Sequence, residues 1–124
     1  MNNPEVTMHD PLPSTGLDVH RKAVDAAAIA ISLAMRVPAP LKPIADQVIR
    51  SASSVPANLV EGYGRSGRDR LHHYRIAYGS AREVDVHLRL LLGTGALSAK
   101  QTETALQLFD DARAMTWRLL HPKR

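Results

Sequence analysis

Prolines and glycines divide this sequence into four segments, each of which carries apolar residues at the spacing of an α-helix. Three groups of these residues separate the segments: Pro38 with Pro40 and Pro43, Gly62 with Gly64 and Gly67, and Gly93 with Gly95. A helix usually ends before the residue that precedes a proline, and glycine is the usual residue just past a helix end. No segment alternates apolar and polar residues in the way a half-buried β-strand does. The pattern therefore predicts an all-α protein.

The apolar residues that recur three and four positions apart are the predicted core-facing positions of each helix. They are Leu17, Val24, Ala27, Ala28, Ile31 and Met35 in the first helix; Ile44, Val48, Ala52, Val55 and Leu59 in the second; Tyr74, Ala77, Ala81, Val84, Leu88 and Leu91 in the third; and Ala105, Leu108, Phe109, Ala112, Met115 and Leu119 in the fourth. Four amphipathic helices with short links predict an antiparallel, up-down-up-down four-helix bundle over residues 17–121. Residues 1–16 show no periodicity, and we expect a flexible tail there.

Pro56 lies inside the second helical pattern. A proline at such a position removes one backbone hydrogen bond and crowds the carbonyl four residues earlier. Ser51, Ser53 and Ser54 lie beside it and could satisfy the freed groups, so we expect a kinked but continuous helix. Two separate short helices are the alternative. At the start of the fourth helix, Ser98 with Gln101 three residues later predicts a capping box.

Composition narrows the chemistry and the cellular setting. The chain contains no cysteine, which excludes disulfides, thiolate metal ligands and a thiol nucleophile. The start of the sequence lacks the basic and apolar regions of a signal peptide, and the longest apolar stretch, residues 26–35, is too short to span a membrane. We therefore expect a cytoplasmic protein without a membrane partner. The net charge of +4 and the isoelectric point near 9.9 favour acidic partners such as nucleic acid.

Arginines form the most suggestive pattern. Four of them lie seven residues apart on the third helix: Arg68, Arg75, Arg82 and Arg89. This spacing places them along one helix face. Arg65 and Arg70 add charge at the N-terminal end, where Asp69 is the opposing carboxylate, so these six arginines are the candidate contacts to RNA or DNA phosphates. The alternative is a solvated face whose charges pair locally, for example Asp85 with Arg82 or Arg89.

Residues 62–67 match G-x-G-x-x-G, the phosphate-binding sequence of dinucleotide-binding folds. That motif functions between a strand and a helix. Here it follows a predicted helix in a chain without predicted strands. We interpret it as a turn between helices and expect no cofactor.

Polar residues and small residues cluster on the second and third helices: Asn58, Glu61, Gly79, Ser80 and Glu83. Gly79 and Ser80 permit close packing, and we expect another helix backbone to pass close to Gly79. The two glutamates could indicate acid–base chemistry or a metal site, but helical-bundle iron sites use Glu-x-x-His pairs, which this chain lacks. We therefore predict no catalytic residues, no metal and no enzymatic activity; an enzyme using Glu61 and Glu83 is the least favoured hypothesis.

Some apolar residues on the last two helices fall outside the inward-facing stripes. They are Leu90, Leu92, Trp117 and Leu120. A second apolar edge on a bundle helix is explained by a neighbouring subunit. These four residues are the candidate oligomer interface.

Two stretches, VPANLVEGYGR at 55–65 and YRIAYGSARE at 74–83, resemble the four-helix-bundle proteins encoded in intervening sequences of bacterial 23S rRNA genes. The matching positions are Pro56, Ala57, Asn58, Glu61, Gly62, Ala77, Gly79, Ser80 and Glu83. The resemblance covers about residues 17–120 and implies a four-helix bundle that forms a ring-like homo-oligomer, preferably a pentamer, by likeness to related bundles.

Accessory proteins of diversity-generating retroelements have a similar fold, and there the basic pentamer associates with nucleic acid and a reverse transcriptase. The resemblance implies no catalytic residues for this chain. Two functions therefore stay open: a non-enzymatic, oligomeric protein that binds RNA or DNA, and a scaffold for a protein partner with no nucleic-acid role.

Overall fold

The computed structural model describes residues 16–123 and contains four α-helices. They are α1 (Gly16–Ala34), α2 (Lys42–Tyr63), α3 (Gly67–Gly93) and α4 (Ala99–Leu120), with a 3-10 turn at Ala39–Leu41. Residues 16–123 include no β-strand, which confirms the predicted all-α class. Most of the predicted flexible tail, residues 1–15, lies outside the described residues, and Gly16 already belongs to α1.

The helices form a four-membered bundle in chain order. The main contacts join α1 to α2, α2 to α3, α3 to α4 and α4 back to α1. Ser54 of α2 bonds to Ser80 of α3, and Asn58, one turn further along α2, bonds to the earlier residue His73. Because the residue numbers rise along α2 as they fall along α3, these two helices run antiparallel. No helix within the described part of the chain is long and apolar enough to cross a membrane.

The core of α2, α3 and α4 agrees closely with the predicted stripes. All six predicted α3 residues are buried, as are Val48, Ala52, Val55 and Leu59 of α2 and Ala105, Phe109, Ala112 and Met115 of α4. Three predicted positions, Ile44, Leu108 and Leu119, are partly exposed but still pack against this core. Burying a side chain the size of leucine or phenylalanine contributes roughly 1.5–3 kcal/mol, so these stripes supply the main force that holds the bundle together.

The predicted inward face of α1 is wrong for most of its residues. Leu17, Val24 and Met35 are 43%, 44% and 77% exposed. Of the predicted residues, Ala27 is buried and Ile31 packs against the core. The rest of the α1 core comes from the opposite face, which is largely alanine: Val19, Ala23, Ala26, Ala30, Leu33 and Ala34. Both faces of α1 are apolar, so periodicity alone did not distinguish them. The small alanine side chains allow close packing against α2 and α4, while Leu17, Val24 and Met35 remain exposed.

Helix α2 continues through Pro56, so the predicted continuous helix is confirmed and the alternative of two short helices is wrong. The expected role of the neighbouring serines differs in detail. The hydroxyls of Ser51 and Ser53 donate to the carbonyls of residues 47 and 50, at 2.7 and 3.1 Å, rather than to the carbonyl four residues before the proline. The Ser54 hydroxyl oxygen accepts a bond from Ser80 of α3. This serine therefore joins two helices.

The start of α4 has the predicted capping box. The Gln101 backbone N–H donates to the Ser98 hydroxyl oxygen at 3.1 Å, and the Ser98 backbone N–H donates to the Gln101 side-chain oxygen at 2.8 Å. Two N–H groups that lack partners within the helix are thereby satisfied. The helix consequently begins at a defined residue directly after the short link from α3.

Candidate nucleic-acid interface

The arginine row lies on the surface of α3, and two of its members line a groove shared with α4. All four row members, Arg68, Arg75, Arg82 and Arg89, are exposed. Arg82 lines a groove together with Arg113 of α4, and Arg89 lines the continuation of that groove beside Glu103 and Asp110. Arg82 and Arg89 therefore form part of one wall of a surface groove between α3 and α4.

Three of the six candidate arginines are engaged within the bundle. Arg65 bonds to Glu61 at 3.2 Å and to Asp69 at 3.3 Å, and the bond to Glu61, followed by that to Asp69, raises its pKa. Arg89 bonds to Asp85 at 2.6 Å, which likewise raises its pKa.

Arg70 is engaged differently. It donates to the backbone carbonyls of Gly62 and Tyr63, both at 3.0 Å, and so joins the start of α3 to the end of α2. A phosphate would have to compete with existing acceptors at each of these three engaged side chains.

The other three candidates, Arg68, Arg75 and Arg82, differ from the engaged arginines in having no nearby carboxylate among the described residues. Within residues 16–123, no carboxylate oxygen lies within 4.0 Å of their guanidinium groups. Asp69, the carboxylate closest in sequence to Arg68, is paired with Arg65. Positive charge that is exposed and has no such partner is the arrangement that phosphate oxygens neutralise most readily.

The other wall of the groove contains residues that the sequence analysis did not assign to it. Arg113, Ala114, Trp117 and Arg118 of α4 line the groove opposite Tyr78 of α3. Arg113 bonds to Asp110, which raises its pKa, and a bond to the Tyr78 hydroxyl acts in the same direction. The sequence contained a usable signal, since residues 113 and 117 are four apart on one helix face and Tyr78 lies between two arginines of the row.

Charge is unevenly distributed along this groove. The section near Arg89 also contains Asp85, Glu103 and Asp110. The opposite section, near Trp117, is lined by Arg113 and Arg118 and lacks a carboxylate among its lining residues. An anionic ligand is therefore attracted to the end of the groove formed by the N-terminal half of α3 and the C-terminal half of α4.

The predicted polar cluster on α2 and α3 is only partly assembled. Asn58 bonds to His73 at 3.0 Å and to Ser54, which in turn bonds to Ser80, so these residues form a polar seam between the two helices. Glu61 and Glu83 are exposed and lie outside the seam. The Ser54–Ser80 contact places these two serines at the same height on the antiparallel helices. Glu61 lies beyond Ser54 in one direction along the bundle and Glu83 lies beyond Ser80 in the other. The two glutamates are therefore separated by about ten residues, or roughly 15 Å along the helix axis.

That separation is too large for the two glutamates to share one metal ion or one reacting group. Within residues 16–123, no group of three or more histidine, aspartate or glutamate side chains is placed to hold a metal ion.

The expected close approach at Gly79 is wrong. This residue is exposed, and a Cβ built on it would meet no atom within 4 Å. The close approach occurs at Gly62, where an added Cβ would lie 2.6 Å from the Tyr74 ring. The outward direction of Gly79 follows from its place in α3, since Ala77 and Ala81 on either side face the core. The glycine-rich stretch forms the turn between α2 and α3, and Gly67 adopts a positive φ of 59° as α3 begins.

The four candidate interface residues fall into two classes. Leu90 and Trp117 are about half exposed. Leu92 and Leu120 are partly buried, and Leu120 packs against the core of the same subunit. Exposed apolar surface is therefore available at Leu90 and Trp117, and much less at the other two positions.

Comparison with known proteins decides the family. The family model described as 23S rRNA-intervening sequence protein matches residues 15–118. The chain belongs to this family. A solved structure from Bacteroides thetaiotaomicron, described as a protein with unknown function from the S23 ribosomal protein family, shares the fold with a TM-score of 0.77. Its sequence is 22% identical, and the alignment covers 85% of this chain and 96% of the other. No match was found among curated proteins.

Proposed function

We propose that this family member is a non-enzymatic, oligomeric protein that binds RNA or DNA through the basic side of α3. The observation that carries the proposal is the exposure of Arg68, Arg75 and Arg82 without a carboxylate within 4.0 Å among residues 16–123. The net charge of +4 adds a general attraction for polyanions. Consecutive members of the row are about 10 Å apart along the helix, so a single extended strand can contact more than one of them.

Oligomerisation is the second part of the proposal, and the exposed apolar stripes support it. On α3, Ile76, Gly79, Val86 and Leu90 recur at intervals that keep them on one outward line. On α1, Leu17, Val24 and Ala28 are exposed on one line, which Met35 continues just past the end of the helix. Apolar stripes of this length on the outside of a small bundle favour contact with further copies of the chain.

We prefer a closed homo-pentamer, the state that the family resemblance implies. A ring repeats the arginine row around the assembly, so that many modest contacts add up to strong binding.

The test of nucleic-acid binding removes two of the unpaired charges. In the double variant Arg68→Gln with Arg75→Gln, we expect weaker binding to an RNA or DNA oligonucleotide at low salt. The slope of log affinity against log salt should fall by about 1.4 for a single strand or 1.8 for a duplex per bound protomer, since each phosphate contact contributes roughly 0.7 or 0.9. Fluorescence anisotropy over a series of salt concentrations measures both quantities.

A matched control removes the same formal charge from engaged arginines. Arg65→Gln with Arg89→Gln deletes two guanidinium groups that already pair with carboxylates. This variant should change the salt slope less than the first double variant does. Absence of binding to RNA and to DNA at low salt would refute the proposal, and sedimentation equilibrium that finds a monomer at micromolar concentration would refute its oligomeric part.

A scaffold for another protein, with no role in nucleic-acid binding, is the second candidate. The exposed apolar residues of α1 and α3 favour it, because a partner protein could cover the same stripes. A specific partner that stays bound through nuclease treatment and high salt, in a protein that shows no affinity for nucleic acid, would support this function over the first.

A further inference from the structure

The groove between α3 and α4 ends in a concavity that combines one exposed indole with arginines. Its lining residues are Tyr78, Arg113, Ala114, Trp117 and Arg118, and its volume is about 410 Å³. Volumes of roughly 300–1,000 Å³ are typical of pockets for small ligands. The concavity is therefore large enough for a nucleotide.

Trp117 is held in a defined orientation although 49% of its surface is exposed. Its indole stacks on the His121 imidazole, with ring centroids 4.1 Å apart and ring planes 28° apart. The His121 Nδ1–H donates to the Trp117 carbonyl oxygen at 2.9 Å, which fixes the imidazole in place. A ring oriented in advance loses less conformational entropy when a ligand packs against it. Trp117 therefore has the properties of a stacking platform.

Arginines surround this platform. Arg113 lines the concavity and pairs with Asp110. Arg118 also lines it, and among residues 16–123 no carboxylate lies within 4.0 Å of its guanidinium group. Tyr78 and Arg113 also line the neighbouring section of the groove, which contains Arg82, so the concavity is continuous with the arginine row at Arg82. An exposed aromatic ring beside positive charge is the usual composition of sites for single strands.

We propose that this concavity binds single-stranded nucleic acid, with a base stacked on Trp117 and neighbouring phosphates held by Arg118 and the arginine row. The inference rests on the proposed function and narrows its ligand to strands with unpaired bases. In a duplex the base faces are already stacked on one another and cannot reach a side chain without being unstacked. Stacking is also tolerant of sequence, because every base has a flat aromatic face.

The intrinsic fluorescence of the protein tests this directly, because Trp117 is the single tryptophan of the chain. The full chain is titrated at low salt with an unstructured RNA oligonucleotide, and separately with the same strand annealed to its complement. We expect the single strand to quench the indole fluorescence and to bind at least about tenfold more tightly than the duplex, as stacking of one or two bases implies. Unchanged fluorescence at saturation, or equal affinity for the duplex, would overturn the proposal.

Variants separate stacking from general apolar contact. Trp117→Ala should weaken single-strand binding by roughly 5- to 150-fold, the range measured for loss of one base–aromatic stack. Trp117→Phe keeps a flat ring and should retain most of the affinity. The matched control is Val60→Ala on α2, a similarly exposed apolar residue outside the proposed interfaces, which should leave the affinity unchanged.

The charge contribution has its own control. Arg118→Gln should lower the single-strand salt slope by about 0.7 per protomer. Arg36→Gln removes an exposed arginine just after the end of α1 and should leave the slope unchanged. Equal effects of the two substitutions would show that only the overall charge matters.

Three outcomes distinguish this proposal from the function on which it rests. If the wild-type protein binds no nucleic acid at low salt, both are wrong. If binding depends on Arg68 and Arg75 but not on Trp117, only the stacking site is wrong. If Trp117→Ala lowers the oligomer mass in sedimentation while single-strand affinity per protomer is unchanged, Trp117 is a contact between copies and the stacking site is again wrong.

Discussion

Two glycines in neighbouring helices provide a direct test of the packing of the bundle. A Cβ at Gly62 would lie 2.6 and 2.7 Å from Cε1 and Cδ1 of Tyr74 and 3.2 Å from the Arg70 carbonyl oxygen. The Tyr74 ring is almost completely buried, so it has little space into which to move. Gly79, in contrast, has open space where its Cβ would be. We therefore expect Gly62→Ala to destabilise the fold and Gly79→Ala to stabilise it.

The magnitudes follow from two opposing terms. Replacing glycine by alanine within a helix stabilises by about 0.8–1.0 kcal/mol, because glycine has the larger conformational freedom to lose. Overpacking of a buried site costs about 1–3 kcal/mol. Gly79→Ala has only the stabilising effect of alanine in a helix, so its free energy of unfolding should rise by about 1 kcal/mol. Gly62→Ala combines this stabilisation with overpacking against Tyr74, so its free energy of unfolding should fall by up to about 2 kcal/mol. The difference between the two variants then reports the overpacking term, about 1–3 kcal/mol.

Urea denaturation followed by far-ultraviolet circular dichroism measures both free energies of unfolding. It should be run at a protein concentration where wild type and variants have the same mass in sedimentation. If Gly62→Ala is as stable as Gly79→Ala, the close contact between α2 and Tyr74 is not a constraint and the reasoning is refuted. If Gly79→Ala instead lowers stability together with the oligomer mass, Gly79 is covered by a neighbouring copy of the chain.

Three further substitutions test other features of the fold. Burial raises the pKa of Tyr74, with Arg70 acting in the opposite direction, so its stabilising contribution should be complete below about pH 10 and lost as the pH rises through the folded-state pKa. Tyr74→Phe should accordingly remove part of the alkaline loss of stability; identical pH–stability curves for the two proteins above pH 10 would contradict this. Ser98→Ala removes the capping box of α4 and should cost about 1 kcal/mol in urea denaturation, whereas an unchanged midpoint would show that the cap contributes nothing. Pro56→Ala restores a backbone N–H to a helix that is already continuous, so we expect a change within about 1 kcal/mol in thermal unfolding and not a collapse of the fold.

The sequence predicted two features of the fold, the positions of the helix ends and the core-facing sides of three helices. Both depend on local chemistry. Ser98 and Gln101 satisfy backbone groups within one turn of each other, so the start of α4 could be predicted from two residues. In α3, apolar residues alternate with charged ones, and charged side chains stay in water unless they are paired. The buried face of α3 was therefore predictable from the spacing of its apolar and charged residues.

The orientation of α1, the surroundings of each glycine and the partners of each arginine depended on tertiary structure. Helix α1 has apolar residues on both faces, and only the distance to its neighbours made the alanine face the buried one. Gly62 and Gly79 look alike in the sequence, yet one lies against the Tyr74 ring and the other against open space.

The six candidate arginines were likewise equivalent in sequence. Folding placed Arg65 between two carboxylates and Arg70 against backbone carbonyls. It also brought Arg113 and Trp117 of α4 into the groove that Arg82 of α3 lines. Side chains on two antiparallel helices become neighbours through the register between the helices, which is set by core packing and is not encoded in the spacing of residues along either helix.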